Sequence, residues 1–271
     1  MNEGFGEAGV LERRGSPLHY WLAGRPERPL VVLTHGVTMD HRLFEAQVPI
    51  LAQDFRVLCW DVRGHGRSRP LGEGFSIPWV AEDLLAILER VGAGPVALVG
   101  HSMGGFVDQE LAFRGLARVV ALVQFGSTCS TWRQPAVVRW GGPLTMPAIR
   151  WMPDAVLRPL LGYLGADEPS ARCYATDACR QVPKRDLVTI WRGILEHFHH
   201  EPGYRIAQPL LVVHGEHDRI GFGLIPWLAP TWAAREPRGR HVVIPGAGHN
   251  ANQDRPELFN RVLLAFLREH L

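Results

Sequence analysis

The segment Val96-Ala-Leu-Val-Gly-His-Ser-Met-Gly-Gly105 carries the strongest structural signal in this 271-residue chain. An apolar run leads into Gly100-His101-Ser102-Met103-Gly104, a G-x-S-x-G motif, and the residues that follow have a helical pattern. A serine between a strand and a helix lies on a sharp turn with a strained backbone, and small flanking residues let the two elements approach. The segment therefore predicts that the Ser102 hydroxyl projects from the carboxyl end of a β-sheet as a nucleophile.

Apolar runs elsewhere in the chain predict the rest of this sheet. Strands are predicted at Leu18–Leu22, Leu30–Thr34, Arg56–Trp60, Val96–Val99, Val119–Phe125, Leu210–His214 and His241–Ile244. Helices are predicted at Phe44–Ala52, Ile77–Val91 with Ser76 as its N-cap, Met103–Arg114 and Glu257–His270. Most of the strands are apolar almost continuously, as strands covered on both faces are. The alternation predicts an α/β fold with a mostly parallel, twisted sheet flanked by helices, whereas Val10–Leu22 predicts an antiparallel hairpin around Gly15-Ser16-Pro17.

Residues 127–206 interrupt this alternation. They contain no convincing strand, and they hold eight of the 21 prolines and four of the nine tryptophans. A structureless loop of that length is implausible inside a compact domain. We expect short helices that form a cap (lid) inserted after the sixth strand, with residues 1–126 and 207–271 as the core. A small separate helical domain is the alternative.

Composition and charge exclude several classes of partner. The 29 basic and 27 acidic side chains leave a net charge of +2, too small for an electrostatic grip on nucleic acid or an anionic membrane. Apolar runs end well short of the ~20 residues that a membrane span needs. The N-terminal MNEGFGEAGV does not resemble a signal peptide, and the four cysteines show no CxxC spacing. A reduced, cytoplasmic protein is expected, with a Cys173–Cys179 bridge left open.

Two strand-exit loops offer partners for Ser102. A serine hydroxyl needs a base to remove its proton, and the base needs an orienting acid. Asp218 follows the strand at Leu210–His214, and His249 follows the strand at His241–Ile244. Because parallel sheets collect reactive groups at the carboxyl ends of their strands, we expect these side chains near Ser102. Glu216 and His217, the neighbours of Asp218, are the competing choices for this position.

These motifs together resemble a known family. His35-Gly36, Asp61-Val-Arg-Gly-His-Gly-Arg-Ser68, the Ser102 turn, Gly215–Asp218 and Gly248-His249 occur in this order. In this respect the chain, from about residue 10 to 271, is similar to the α/β-hydrolase superfamily, in its cap-domain group of esterases, lactonases and carbon–carbon bond hydrolases. The resemblance implies that Ser102 is the nucleophile, His249 the general base and then acid, and Asp218 the orienting carboxylate. It also implies an oxyanion hole made by the backbone N–H groups of Val37 and Met103.

The binding pocket and cofactors are less constrained by the sequence. His35, Trp132, Met146, Trp151 and Trp191 are expected to line an apolar pocket, although the cap side chains could equally only join cap and core. In Glu196-His-Phe-His-His-Glu201 the histidines lack the four-residue spacing of two facing helical ligands. This spacing does not predict a metal site. No nucleotide-binding glycine motif occurs either, so no cofactor is expected.

The sequence thus predicts a serine hydrolase acting on small to medium, apolar carboxylic esters through an acyl-enzyme. A lactonase and a carbon–carbon bond hydrolase would use the same three residues, and an acyltransferase or perhydrolase would differ only in the acceptor. A non-enzymatic ligand receptor on the same fold is the alternative of another class. The expected partner is a small ester-type molecule, and the oligomeric state, monomer or homodimer, stays open.

Overall fold

The computed structural model of the protein describes residues 4–116 and 118–271, and in this part of the chain eight strands form one sheet. The strands are β1 (Glu7–Arg13), β2 (Ser16–Ala23), β3 (Leu30–Thr34), β4 (Arg56–Trp60), β5 (Val96–His101), β6 (Val119–Phe125), β7 (Leu210–Gly215) and β8 (Gly239–Ile244). Their order is β1-β2-β4-β3-β5-β6-β7-β8. The pairs β1–β2 and β2–β4 are antiparallel, and all the others are parallel. The predicted α/β fold with a mostly parallel sheet is confirmed.

Helices cover both faces of the sheet. They are α1 (Val48–Leu51), α2 (Ile77–Arg90), α3 (Met103–Phe113), α4 (Ala136–Trp151), α5 (Asp154–Gly165), α6 (Pro169–Arg180), α7 (Lys184–His197), α8 (Ile225–Arg235), α9 (Ala251–Asp254) and α10 (Pro256–His270). Alternate residues of β5 show the two layers: Leu98 packs in a cluster with α2, α3 and α8, whereas Val99 packs in a cluster with α1, α9 and α10. Burial on both faces explains why the strand sequences are continuously apolar.

The hairpin at the start of the chain adds two antiparallel strands to the parallel part of the sheet. Its turn lies at Arg14-Gly15, where φ is 49° and 72°. Two successive residues with positive φ are typical of the turns that match the twist of a hairpin. The turn therefore lies one residue earlier than the Gly15-Ser16-Pro17 sequence indicates, and Ser16 already belongs to β2.

Prolines account for the two helices that the sequence pattern placed poorly. The predicted helix at Phe44–Ala52 is wrong as one element: a 3₁₀ turn at His41–Phe44 precedes the short α1, which has Pro49 in its first turn. Proline has no N–H to donate to a preceding turn, so it starts a helix rather than continuing one. Helix α8 was not predicted. Pro226 lies in its first turn, but Pro230 lies in its interior, where tertiary packing overrides the usual effect of proline.

Four helices, α4 to α7, lie between β6 and β7, and we call residues 136–197 the cap segment. Pro135, Pro153 and Pro183 directly precede α4, α5 and α7, and Pro169 begins α6. A fixed proline φ suits the entry into a helix, so the prolines separate these helices without breaking them. Within the described residues, no helix has the length and apolar character needed to cross a bilayer.

An ion pair inside the core fixes the loop after β4 against α2. The guanidinium of Arg63 donates from Nε to Asp83 Oδ2 at 2.6 Å and from Nη2 to Asp83 Oδ1 at 2.8 Å. Both side chains are fully buried. A buried guanidinium that loses its carboxylate is still desolvated but no longer compensated. Removing one partner therefore destabilises the fold much more than replacing both by apolar side chains.

We therefore expect Asp83→Asn to lower the free energy of unfolding by about 3–5 kcal/mol, measured by urea denaturation. Asp177→Asn is the matched control, because Asp177 pairs with Arg180 at 2.9 Å while both side chains are about 60% exposed. Water screens that pair, so its loss should cause no measurable change. Equal effects of the two substitutions would contradict this account.

Candidate active site

Ser102 lies alone between the end of β5 and the start of α3, with φ 50° and ψ −114°. This positive φ is a strained conformation for a residue that carries a Cβ. Hydrogen bonds hold it: Ser102 N donates to Phe125 O at 2.9 Å, and Ser102 O accepts from Gly105 N at 2.9 Å and from Ser127 Oγ at 3.0 Å. The turn is therefore held by hydrogen bonds to the end of β6 and to the first turn of α3.

Glycines around Ser102 allow α3 to approach the sheet closely. A Cβ on Gly104 would overlap the carbonyl oxygen of Thr34, and one on Gly100 would lie 2.6 Å from the Gly105 nitrogen. A Cβ on Gly105 would lie 2.6 Å from Ser127 Oγ. Any side chain at these positions would push the helix away from β3 and β5, so the small residues of the motif are a packing requirement.

His249 and Asp218 form a buried pair in the loops after β8 and β7. His249 Nδ1 lies 2.9 Å from Asp218 Oδ2, and the other carboxylate oxygen of Asp218 accepts from Ile220 N at 3.0 Å. An ionised carboxylate only accepts hydrogen bonds, so Nδ1 carries the proton and Nε2 is left with its lone pair. His249 and Ser102 line the same cavity.

The two neighbours of Asp218 point to other partners. Glu216 accepts a hydrogen bond from Gly246 N at 2.9 Å, and His217 Nδ1 lies 2.7 Å from Asp167 Oδ2. Both side chains are about half exposed. Of the three acidic or imidazole groups in this loop, the structure places Asp218 against His249.

Val37 and Met103 also line the cavity that contains Ser102. Met103 is the first residue of α3, where the backbone N–H groups have no partner within the helix. Val37 lies just beyond the end of β3. The structure thus brings the two residues that the resemblance assigns to the oxyanion hole to one end of the sheet, beside Ser102.

His35 and His101 have mainly structural contacts. His35 is fully buried and does not line the cavity: Nδ1 lies 2.8 Å from Gly36 O, and Nε2 accepts from Val62 N at 2.9 Å. Burial lowers the pKa of His35, which keeps the ring neutral as this acceptor role requires. His101 Nε2 lies 3.3 Å from His249 O, and burial places its pKa well below the usual range.

The cavity around Ser102 has a volume of about 420 Å³, within the range of small-molecule sites. Side chains from the core and from the cap segment form its largely apolar wall. The apolar side chains that line it include Phe106, Ile149, Met152, Leu157, Leu161, Leu164, Leu187, Trp191, Ile194, Leu195, Phe198, Ile225 and Leu228. Arg219 also reaches the wall, but it donates to Asp167 Oδ1 at 2.8 Å, so its charge is compensated.

Only one of the expected cap tryptophans lines this cavity. Trp191 does so, and its Nε1 donates to Thr145 Oγ1 at 2.6 Å. Trp132 instead borders a second cavity, Met146 lines neither cavity, and Trp151 is 77% exposed. Residue type alone therefore does not identify the cavity wall, because the position of each residue on its element decides where its side chain points.

The face of α4 that meets the cavity could have been found from spacing. Val138, Gly142, Thr145 and Ile149 line it at intervals of four, three and four residues, which is one side of a helix. Ser127 also lines the cavity and is not among the predicted site residues. It comes directly after β6, at the same end of the sheet as Ser102, so its position relative to the strand was the available signal.

Two groups of side chains in the described ranges lie close enough to share a cation, and neither lines the cavity around Ser102. One contains Asp40, His41 and Asp61, and the other contains Glu110, His197 and His199. In the first group His41 Nδ1 lies 2.9 Å from Asp61 Oδ1, which also accepts from His41 N at 2.7 Å. Hydrogen bonds already occupy those atoms.

Comparison with known proteins identifies the family of this fold and site. The family model described as the alpha/beta hydrolase family matches residues 31–262. The chain belongs to the alpha/beta hydrolase family. The resemblance seen in the sequence is therefore confirmed, and the protein is a hydrolytic enzyme of this family.

Its curated relatives differ in their substrates. The chain is 27% identical to the 2-(acetamidomethylene)succinate hydrolase of Mesorhizobium japonicum, over 88% of both chains. It is 25% identical to 3-oxoadipate enol-lactonase 1 of Acinetobacter baylyi, over 96% of both chains. Among solved structures, a thermophilic esterase from Thermogutta terrifontis superposes with a TM-score of 0.84, covering 98% of this chain and 100% of that one. At 22% identity this last likeness shows the fold alone.

The position of His249 depends on a glycine, and this gives a test of the site. Gly126 has φ 58°, and a Cβ there would lie 2.9 Å from His249 Cε1 and 3.0 Å from Nδ1. We expect Gly126→Ala to displace the imidazole and to lower kcat/KM for hydrolysis by about a hundredfold while the far-UV circular dichroism stays native.

Gly115→Ala is the matched control for this substitution. Gly115 also has a positive φ, 68°, but a Cβ there meets nothing within 4 Å. It should therefore cost some stability through the same backbone strain without changing kcat/KM. Similar losses of activity in both variants would show that strain, and not contact with His249, is responsible.

Proposed function

We propose that the protein is a serine hydrolase that cleaves carboxylic esters through an acyl-enzyme, with Ser102 as nucleophile, His249 as base and Asp218 as the orienting carboxylate. The observation that carries this proposal is the shared apolar cavity. It contains both the strained Ser102 and the His249 ring, whose Nδ1 is held by Asp218.

In the first half of the reaction Ser102 Oγ attacks the ester carbonyl carbon while His249 Nε2 takes the hydroxyl proton. The carbonyl oxygen becomes an oxyanion, and the backbone N–H groups of Val37 and Met103 stabilise it. The imidazolium that forms is stabilised by Asp218, which itself stays ionised. The intermediate collapses when His249 returns the proton to the alkoxy oxygen, so that the alcohol leaves and the acyl group stays on Ser102.

Water completes the reaction. His249 removes a proton from water, the resulting hydroxide attacks the acyl carbon, and a second oxyanion forms in the same position. Its collapse breaks the bond to Ser102 Oγ, which regains its proton from His249, and the carboxylic acid is released. No cofactor enters any of these steps.

The cavity favours an uncharged, apolar substrate. Its wall consists largely of aliphatic and aromatic side chains, and the charge of Arg219 is compensated by Asp167. A charged group would lose its hydration there without gaining a free partner. We propose that residues 127–206 form a lid over Ser102 on a core of residues 1–126 and 207–271, since Trp191 and Ile149 contribute to the wall from the cap segment.

A lactonase is the second candidate, because it is the activity named for a relative that matches almost the whole chain. A lactone is a cyclic ester, so the same attack by Ser102 opens the ring and leaves the alcohol on the acyl group. A carbon–carbon bond hydrolase would use the same three residues to cleave a vinylogous diketone, and a ligand receptor would bind its ligand without turnover. A panel of linear esters, lactones and vinylogous diketones separates these activities.

The cysteines fit a reducing compartment. All four are free, and Cys59, Cys129 and Cys179 are buried. Burial raises the pKa of these three thiols, which keeps them protonated and unreactive. We therefore propose a cytoplasmic enzyme.

Removing the nucleophile tests the proposed chemistry. We expect Ser102→Ala to lower kcat for hydrolysis of p-nitrophenyl butyrate by at least about ten-thousandfold, because the acyl-enzyme can no longer form. Binding and the oxyanion hole remain and account for the residual rate. Ser127→Ala is the comparison variant. It removes a neighbouring hydroxyl that donates to Ser102 O and should have a much smaller effect. Wild-type turnover by Ser102→Ala would refute the proposal.

The apolar wall predicts a preference among acyl chains. Each methylene buried in the cavity contributes about 0.8 kcal/mol, so kcat/KM should rise by up to about fourfold per carbon until the chain fills the space. Ile149→Trp, which narrows the cavity from α4, should move the optimum to shorter chains. Leu144→Trp, on the same helix but 72% exposed, should leave the profile unchanged. A flat profile in the parent enzyme would contradict the proposed acyl pocket.

A further inference from the structure

Glu110, His197 and His199, the second group of closely spaced side chains, join the core to the cap segment. Glu110 lies on α3, the helix that begins after Ser102, whereas His197 ends α7 and His199 follows it. One ligand atom of each residue lies within 4.8 Å of those of the other two. The group lies outside the lining of the cavity around Ser102 and takes no part in the proposed reaction.

His197 has a buried nitrogen with no partner. The residue is 7% exposed, and its Nε2 atom makes no hydrogen bond to any described residue. A buried polar atom without a partner costs free energy, so such an atom calls for an explanation.

The other two residues each keep a side-chain atom available for a ligand. Glu110 Oε1 accepts from Arg114 Nε at 2.8 Å, and this leaves the second carboxylate oxygen for another interaction. The backbone of His199 is fixed because His199 N donates to Ser130 O at 3.1 Å. Its Nδ1 lies 3.6 Å from Glu201 Oε1, so a carboxylate is close enough to attract the ring but does not accept a hydrogen bond from it.

We propose that Glu110, His197 and His199 form a binding site for one Zn²⁺ ion, with water as the fourth ligand. Two imidazoles and a carboxylate are a common zinc ligand set. In a tetrahedral site with bonds of 2.0–2.1 Å the ligand atoms lie about 3.3 Å apart, so the side chains must close by up to about 1.5 Å. Rotation about the side-chain bonds of Glu110 and His199 can provide this movement while the backbone of both residues stays in place.

The spacing of the histidines argues against a metal only if the ligands all lie on one helix. The carboxylate ligand comes from another helix, and His199 lies beyond the end of α7, so the four-residue rule for facing helical ligands does not apply. A cation here would tie the end of the cap segment to the helix that carries the nucleophile turn. Zinc should therefore raise the melting temperature, because it binds the folded chain at residues that only the fold brings together.

The test is isothermal titration of Zn²⁺ into the untagged, chelator-treated chain. It uses a Cys173→Ser background, since Cys173 is an exposed thiol and a competing zinc ligand. Glu110→Gln and His199→Gln each remove one ligand, and His200→Gln is the matched control because it removes an exposed neighbouring imidazole outside the group. Melting temperatures without zinc confirm that each variant is folded.

We expect one Zn²⁺ per chain for the background protein and for His200→Gln, with at least about tenfold weaker binding in the other two variants. The zinc-dependent rise in melting temperature should follow the same pattern. Equal binding by all four proteins, or no stoichiometric binding by the background protein, would overturn the proposal.

Discussion

At its first turn, α3 approaches the sheet more closely than side chains would allow. A Cβ on Gly104 would overlap the Thr34 carbonyl oxygen, and one on Gly105 would meet Ser127. Because glycines permit this contact, Ser102 can occupy a single strained position between β5 and α3, with its backbone held by Phe125 and Gly105. The remainder of the proposed site depends on this turn, since it places a hydroxyl and the first N–H groups of α3 at the end of the sheet.

The parallel order β5-β6-β7-β8 brings the other groups to the same end. β7 and β8 are neighbours and end at the same edge of the sheet as β5, so Asp218 and His249 need only short loops to form their pair. Gly126, at the exit of β6, leaves room for the imidazole. The cap segment then supplies much of the apolar wall. In the proposed enzyme the core positions the reacting groups, and side chains of the core and of the cap segment together line the pocket.

The sequence predicted the core well because buried strands have a local signature. The bounds of β3, β4 and β6 agree with the prediction, and Ser76 caps α2 by accepting from Trp79 N. It predicted less where tertiary contacts decide. Trp151 is apolar but lies on the outer face of α4, so residue type misplaced it. The approach of Glu110 to His197 depends on how α7 docks against α3, and no local pattern records that contact.

The central claim is that Ser102, activated by the His249–Asp218 pair, is the residue that becomes acylated. A fluorophosphonate probe, followed by digestion and mass spectrometry of the peptides, tests it most directly because the probe needs an activated nucleophile. The account predicts one label per chain, on Ser102, and loss of labelling in His249→Ala although Ser102 is still present. Labelling of a different residue, or undiminished labelling of Ser102 in His249→Ala, would contradict it.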